Sequence, residues 1–321
     1  MLFNIDMKTE LKSFNEKTRL FSIIIPTWNN LPYLQLCVRS IKNNSHYNHQ
    51  IIIHVNDGAD GTLEWVRDQG FDYTYTAENV GVCVAVNMMR SKVKTDYILY
   101  LNDDMYVLPG WDSVLVNEVK SLPDNKFYLS CTMIQPKLCV SSCIHADYGT
   151  SIQTFQEEKL LKEYMMYEKE DWQGSTWPPC LVHRDIWDIV GGYSIELSPG
   201  MYSDPDFTAK LWLVGVRYLK GLGRSRVYHF ETKSTERVQK NDGSSQFLLK
   251  WGITNSSLRS CISHVGDKFD MNRVGYVDIQ NLRRRRVRSH FKAIWLIMTR
   301  YSRIFKHFEV TGGRCAVNHG D

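Results

Sequence analysis

The sequence lacks the features that mark several large classes of protein. Its 321 residues contain no apolar run approaching the roughly 18 residues that a membrane-spanning helix needs. None of its eight cysteines forms a Cys-x-x-Cys pair, so the sequence gives little support for a zinc site. The polar N-terminus shows no signal-peptide pattern, and we therefore expect reduced thiols and a cytoplasmic protein.

Charge of one sign is also scarce, except in one place. The net charge is only +4, and 43% hydrophobic and 12% aromatic residues are enough for the core of a globular protein. Residues 283–309, however, contain seven Arg and two Lys against one Glu, so this segment carries +8 and the remaining chain −4. We divide the chain into an N-terminal arm (1–19), two halves of one domain (20–115 and 116–260) and a C-terminal basic extension (261–321).

Strand and helix patterns alternate through the first third of the chain. Short runs rich in Ile, Val, Leu and Tyr predict strands at 21–25, 50–55, 73–76 and 97–101. Apolar residues at helical spacing predict helices between them, at about 31–41, 62–68 and 82–91. This alternation is typical of βαβ units, so we predict an α/β fold with a Rossmann-like, mostly parallel central sheet flanked by helices.

Polar residues follow the predicted strands. In open sheets of this kind, ligands bind beyond the carboxyl ends of the strands. A carboxylate at the end of a buried strand costs free energy unless a cation or hydrogen-bond donors meet it, and Mg²⁺ or Mn²⁺ commonly joins such groups to substrate phosphates. A solvated turn is the alternative interpretation. The polar groups are Pro26-Thr27, Asn56-Asp57, Asn79 and Asn102-Asp103-Asp104.

Five motifs occur in order over about residues 20–115: Ile23-Ile-Ile-Pro-Thr-Trp-Asn29, Val55-Asn-Asp-Gly58, Asn79-Val-Gly81, Leu101-Asn-Asp-Asp-Met105 and Leu108-Pro-Gly-Trp111. Their order and spacing resemble those of family 2 glycosyltransferases, which are nucleotide-sugar enzymes of the GT-A fold. Each motif alone is a modest signal, whereas the ordered set is a strong one.

The resemblance implies a donor pocket in the first half of the chain. Asp57 would contact the base or the ribose, although it can also be a simple turn residue before Gly58. Asp104 is similar to the last acid of the family's Asp-x-Asp motif and would be the main ligand of Mn²⁺ or Mg²⁺. Asn102 stands at the first position of that motif, which departs from the usual acid. The implied donor-binding residues are Pro26, Thr27, Asn29, Asp57, Asn79, Gly81, Asn102 and Asp103.

The second half would supply the acceptor side and the catalytic base. Trp172 and Trp177 can stack on a sugar ring or pack in the core. Asp204 resembles the family's catalytic base, which takes a proton from the acceptor hydroxyl, but it also suits a helix N-terminus. Asp206 is the alternative base. His229 follows, in what we predict to be a pair of strands at 217–220 and 226–230, and is either a second metal ligand or a packed core residue.

The basic segment predicts an amphipathic helix. Apolar and aromatic residues recur at spacings of three and four behind Arg283–Arg286, which is typical of a helix lying on an anionic membrane surface. We expect such contact at the inner face of the membrane. A helix docked on the domain and a contact between protomers of a homo-oligomer are the alternatives.

The resemblance implies a metal-dependent, inverting glycosyltransferase. It would move a sugar from a nucleoside-diphosphate sugar, UDP- or dTDP-linked, to a hydroxyl of a glycan or lipid-linked acceptor in surface polysaccharide synthesis. A sugar nucleotidyltransferase is an alternative, but Pro26–Asn30 contains no glycine for a phosphate loop. Non-catalytic donor binding, or membrane or nucleic-acid binding by the tail, are others; we expect no nucleic acid because no binding module accompanies the arginines.

Overall fold

The computed structural model describes residues 19–137, 141–232 and 240–312, with side chains described as far as residue 299. The predicted N-terminal arm therefore lies outside the described residues, apart from Arg19. In the first half the elements are β1 (Phe21–Trp28), α1 (Leu31–Asn44), β2 (Gln50–Asn56), α2 (Thr62–Asp68), β3 (Asp72–Thr76), α3 (Gly81–Met89), β4 (Tyr97–Tyr100), β5 (Met105–Val107) and α4 (Trp111–Ser121). The strands and helices predicted for this half are all present.

The second half adds strands and helices in a less regular order. They are β6 (Phe127–Gln135), β7 (Ile144–His145), α5 (Glu157–Glu163), β8 (Trp172–Gln173), β9 (Cys180–His183), α6 (Arg184–Val190), α7 (Ser203–Leu213), β10 (Tyr218–His229), α8 (Gly243–Trp251), α9 (Asn255–Leu258) and α10 (Ile279–Gly312). Among the described residues, no helix combines the length and the apolar character needed to cross a bilayer.

One sheet contains all ten of these strands, in the order β3-β2-β1-β4-β9-β6-β10-β5, with β7 paired to β6 and β8 to β10. The neighbours from β3 to β4 are parallel, as predicted for this half. The sheet becomes mixed beyond that point, because β9 lies antiparallel between β4 and β6 and β5 lies antiparallel to β10. The predicted α/β fold is confirmed.

Strand β1 lies inside the sheet and is buried on both faces. Ile23 and Ile25 point to one apolar cluster, which includes residues of α1, α2 and α4. Ile24 points to the other cluster, which includes residues of α3, α6 and α7. A strand covered by helices on both faces reads as a continuous apolar run, which explains why these three isoleucines stand together.

The predicted strand pair at 217–220 and 226–230 is wrong: β10 is one strand whose pairing with β6 shifts register between Leu222 and Arg226. The glycines there serve close contacts instead of a hairpin turn. A Cβ on Gly221 would come within 1.8 Å of the Trp172 ring, and the Gly223 N–H donates to Asp171 Oδ1 at 2.9 Å. Glycine-rich sequence in this strand thus reflects a bulge and a packed tryptophan.

Replacing Gly221 by Ala should therefore destabilise the fold through overpacking, by about 3 kcal/mol. Gly70→Ala is the matched control, because Gly70 has a φ of +67° but no atom within 4 Å of an added Cβ. That control should lose only the cost of left-handed backbone, about 1 kcal/mol. Urea unfolding of both variants measures the difference, and equal losses would contradict the contact between Gly221 and Trp172.

Candidate active site

A cavity of about 700 Å³ lies beyond the carboxyl ends of β1 and β4. It contains most of the residues singled out in the sequence, although they come from distant parts of the chain. Those lining it are Pro26, Thr27, Asn79, Gly81, Asn102, Asp103, Asp104, Trp177, Asp204 and His229. The rim of the parallel half of the sheet is thus joined to α7 and the end of β10.

Asp103 fixes the segment that follows β4 against the end of β1. Its side chain is buried, and Oδ2 accepts a hydrogen bond of 2.7 Å from Thr27 Oγ1. Asn56 supports the same edge, because its Nδ2 donates to the Thr27 carbonyl at 3.2 Å and its Oδ1 accepts from the Val80 N–H at 3.0 Å. These contacts hold three strand ends in one rigid arrangement.

Asp104 is a buried carboxylate held in its charged form. Its Oδ2 accepts from the Thr232 N–H at 2.9 Å and from Thr232 Oγ1 at 2.8 Å, and His229 Nε2 lies 3.5 Å away. Burial by itself raises the pKa of Asp104, but the imidazolium and the Thr232 donors outweigh it and the pKa is lowered. Burial likewise opposes the charge on His229, yet Asp104 raises the histidine pKa above its ordinary value.

The Asp104–His229 pair has the right chemistry for a cation shared with a substrate. Among the described residues, no group of three or more His, Cys, Asp or Glu could hold a metal ion by protein ligands alone. Mg²⁺ and Mn²⁺ are often held by one or two carboxylates, with substrate phosphates and water completing the coordination. One carboxylate and one imidazole at the cavity wall fit that pattern.

Asp204 has an electrostatic environment opposite to that of Asp104. It lies in the first turn of α7 and faces the cavity, and its Oδ1 accepts a hydrogen bond of 3.2 Å from the Tyr193 hydroxyl. Protein atoms surround the carboxyl closely, and this burial raises its pKa to about 7, against the opposing effect of the Tyr193 hydrogen bond. A carboxyl with this pKa can take up a proton at neutral pH.

Asp206 does not reach the cavity. It is fully buried between α7 and α8, where Oδ2 accepts from Ser194 Oγ at 2.5 Å. Its Oδ1 accepts from Trp251 Nε1 at 2.8 Å and lies 2.9 Å from Lys250 Nζ. All these partners belong to the protein, so the geometry favours Asp204 over Asp206 as a proton acceptor.

The two predicted acceptor tryptophans differ in the same way. Trp172 is 3% exposed, packs over Gly221 and donates its indole N–H to Thr132 Oγ1 at 3.0 Å, which makes it a core residue with no face open to a ligand. Trp177 lines the cavity, and the Arg259 guanidinium lies 5.0 Å from its ring centroid. Only Trp177 is placed where a sugar can stack on it.

Asn29 and Asp57 lie next to cavity residues but do not line it. Asn29 Nδ2 donates to Asp57 Oδ2 at 2.7 Å, and both residues have left-handed backbone, with φ of 44° and 64°. Gly81 has a different constraint from the one expected. Its φ is +77°, and an added Cβ would come within 2.6 Å of Pro199 Cα, so the glycine allows α3 to approach the chain before α7.

Sequence reasoning missed several residues at the cavity. Tyr100 and the 199–203 segment carry no motif, and their position depends on how α7 packs against α3, where the Val82 N–H donates to the Pro199 carbonyl at 2.9 Å. Asn56 was within reach of the sequence, since it precedes Asp57 in a quoted motif. Lys137 and Glu231 also line the cavity, with 3.8 Å between Nζ and Oε2.

Comparison with known proteins identifies this architecture. Residues 22–137 match the sequence model of the family described as glycosyl transferase family 2. The chain carries a family 2 glycosyltransferase domain. Its match covers β1 to β6, which supply the Thr27, Asp103 and Asp104 side of the cavity.

One curated relative is the putative teichuronic acid biosynthesis glycosyltransferase TuaG of Bacillus subtilis (strain 168). It is 29% identical over 90 residues, which represent 26% of this chain and 36% of the relative. The chain therefore spans about a third of the length of the curated relative that it matches.

Solved structures of similar fold include S. aureus TarS. The 1–349 portion in complex with UDP-GlcNAc superposes with a TM-score of 0.54 at 13% identity, covering 73% of this chain and 65% of that one. The same portion without that ligand in its description gives a TM-score of 0.50 at 14% identity, covering 65% and 60%. At these identities the likeness shows the GT-A-like fold.

The raised pKa of Asp204 predicts a measurable titration. We expect a carboxyl resonance with a pKa of about 7 in ¹³C NMR of the wild-type protein, absent from Asp204→Asn. Tyr193→Phe removes a donor that favours the charged form and should raise this pKa further. Because the folded-state pKa exceeds the unfolded value, this group should lose its stabilising contribution as the pH rises through about 7.

Urea unfolding at pH 5 and pH 8 provides the second readout. Asp204→Asn should be more stable relative to wild type at pH 8 than at pH 5, since the variant has no carboxyl to ionise. Asp185→Asn, at an exposed carboxyl on α6, is the control and should show no such pH dependence. A wild-type titration near pH 4 would contradict the assigned environment.

Proposed function

We propose that this protein transfers a sugar from a nucleoside-diphosphate sugar to an acceptor hydroxyl, with inversion, in the synthesis of a cell-surface polysaccharide. One observation carries the proposal: a charged Asp104–His229 pair and a carboxyl with a pKa of about 7, Asp204, line the same cavity. Two titratable sites with opposite protonation preferences suit a reaction that neutralises a leaving group and removes a proton. The description of TuaG supports the polysaccharide class of product.

The donor would occupy the side of the cavity formed by the strand ends. Pro26, Thr27 and Asn79 would line the nucleotide, with Gly81 at the edge and the Asn29–Asp57 pair beside the base or ribose. Asn102 and Asp103 would shape the floor below the sugar. A UDP- or dTDP-linked sugar fits this proposal, and the complex of TarS with UDP-GlcNAc supports the UDP form.

Asp104, with His229, would hold Mn²⁺ or Mg²⁺ next to the diphosphate. Bound there, the cation supplies Lewis-acid neutralisation of the departing nucleoside diphosphate. The protein's own part is to keep Asp104 ionised, which the two Thr232 hydrogen bonds and His229 do at a buried position. Neutral imidazole is the form that can bind a cation, so cation binding should release the proton of His229.

Asp204 would act as the base. As the acceptor oxygen forms its bond to the anomeric carbon, the hydroxyl proton passes to the Asp204 carboxylate and the sugar–phosphate bond breaks. Because the base belongs to α7 and the diphosphate site to β4, the acceptor would attack from the face opposite the leaving group. Trp177 would provide a stacking surface for the acceptor sugar.

Under this proposal, residues 20–115 form the donor-binding half, 116–260 the acceptor-binding half and 261–321 a membrane-proximal extension. In α10, Leu296 and Ser289 are buried against the domain, so one face of the helix is docked. Phe291, Trp295 and Met298 are exposed by 70%, 59% and 78%. Exposed aromatic residues beside an arginine run suit the anionic inner face of a membrane that holds a lipid-linked acceptor.

The decisive experiment is a screen of nucleotide sugars for Mn²⁺-dependent transfer or hydrolysis. Asp204→Asn should lower kcat by about 10²–10⁴-fold, the usual contribution of a general base, while retaining nucleotide binding. Asp104→Asn should remove the dependence on Mn²⁺ together with most activity. Asp185→Asn is the matched control.

Three results would count against the proposal. Full transfer by Asp104→Asn would refute the cation site, and full transfer by Asp204→Asn would refute the base. No turnover with any donor, together with no nucleotide binding, would refute the enzyme function itself.

The extension generates a separate prediction. Vesicles containing anionic lipid should sediment the wild-type protein, and replacing Phe291, Trp295 and Met298 by Ser should weaken this binding at least tenfold through loss of buried apolar area. Ile195→Ser is the control, because Ile195 is 62% exposed but lies far from α10 in the sequence. Undiminished vesicle binding would contradict the membrane contact, and a monomeric variant of an oligomeric wild type would identify a protomer interface instead.

A further inference from the structure

A second cavity, of about 660 Å³, lies beside the candidate active site and is lined mainly by polar side chains. Four hydroxyl groups line it, from Ser244 on α8 and from Thr254, Ser256 and Ser260 in and around α9. Hydroxyl groups can donate hydrogen bonds to a ligand oxygen or accept them from a ligand hydroxyl. The lining thus has the chemistry of a site for a polar ligand.

The two cavities share a wall. Tyr202 lines the second cavity, while its chain neighbours Met201 and Ser203 line the first. Arg259 lines the second cavity and stacks at 5.0 Å on Trp177, which lines the first. A ligand in the second cavity would therefore lie just behind Asp204, on the side of the active site away from Asp104.

The second cavity has an excess of positive charge. Arg259 and Lys292 both line it, and within the described part of the chain neither is a member of a salt bridge. Arg285 adds a third cation at the margin, with Nη1 3.2 Å from Ser256 Oγ. The acid in the lining is Asp267, and Arg273 already pairs with it at 3.1 Å.

The titratable group on the opposite wall does not offset this charge. His264 is buried, and its Nδ1 lies 3.2 Å from Arg273 Nη2. Burial, followed by the nearby Arg273, lowers the pKa of His264, so the ring is neutral. The positive groups that face the cavity, Arg259 and Lys292, therefore determine its charge.

We propose that the second cavity is an acceptor subsite for an oxyanion, a phosphate or a carboxylate carried by the acceptor near the hydroxyl that receives the sugar. This inference rests on the proposed function. The planar guanidinium of Arg259 can donate two parallel hydrogen bonds to such a group, and Lys292 adds a mobile point charge. Anchoring the charged group behind Trp177 would position the neighbouring hydroxyl against Asp204.

The test measures sugar binding without any donor. Glucose 6-phosphate, glucuronate and glucose are titrated at constant ionic strength by calorimetry, and at least one charged sugar should bind at least tenfold more tightly than glucose. Tighter binding of glucose 6-phosphate would identify phosphate as the oxyanion, and tighter binding of glucuronate would identify a carboxylate.

Variants show whether the preference arises in this cavity. Arg259→Gln and Lys292→Gln should each reduce the affinity for the charged sugar at least fivefold. Arg286→Gln removes an exposed cation of α10 that does not line the cavity, and it should leave the affinity unchanged. Lys292 is exposed, so its variant remains informative if Arg259→Gln is poorly folded.

The proposal is overturned if charged and neutral sugars bind equally, or if the preference survives both substitutions. The latter result would place the charged sugar in the donor site, which does not contain Arg259 or Lys292. Failure of the proposed function has a different signature, namely no nucleotide binding and no transfer. The two failures are therefore distinguishable.

Discussion

Two adjacent buried carboxyl groups at the end of β4 organise the edge of the sheet. Burying a carboxylate is unfavourable unless donors or cations meet it, and here the partners come from different strands. Asp103 is met by Thr27 of β1 at 2.7 Å, and Asp104 by Thr232 and His229, which follow and end β10. Satisfying these two side chains requires the donor half and the acceptor half of the domain to meet at one place, which is where the cavity lies.

The same cavity keeps two acids in different protonation states. Asp104 has a lowered pKa because an imidazolium and two Thr232 donors favour the carboxylate despite burial. Asp204 is buried with one tyrosine hydroxyl as its hydrogen-bond donor, and its pKa rises to about 7. Position along the chain did not determine this difference, since both acids follow motifs rich in Asp. The number and charge of the donors around each carboxyl did, and only the folded structure supplies them.

Local patterns predicted what local physics controls. Three isoleucines in β1 and regularly spaced apolar residues in α1 specified their elements, and the order of polar motifs placed Thr27, Asn79 and Asp104 at one rim. Sequence could not separate Asp204 from Asp206, because residues two apart on a helix point about 200° away from each other and the packing of α8 decides which one is buried. The glycines of β10 resembled a turn because the ring that needs their space, Trp172, lies about 50 residues earlier in the chain.

The basic extension shows why total charge is a poor guide to function. Its helix, α10, is docked through Leu296, so its cations face different surroundings. Lys292 faces the second cavity beside the candidate active site, whereas Arg286 is exposed and lies near exposed aromatic residues. A charge at a cavity is screened less by salt than one on the surface, so the two groups would respond differently to ionic strength. If both proposals hold, one helix contacts the acceptor's charged group on one side and the membrane surface on the other.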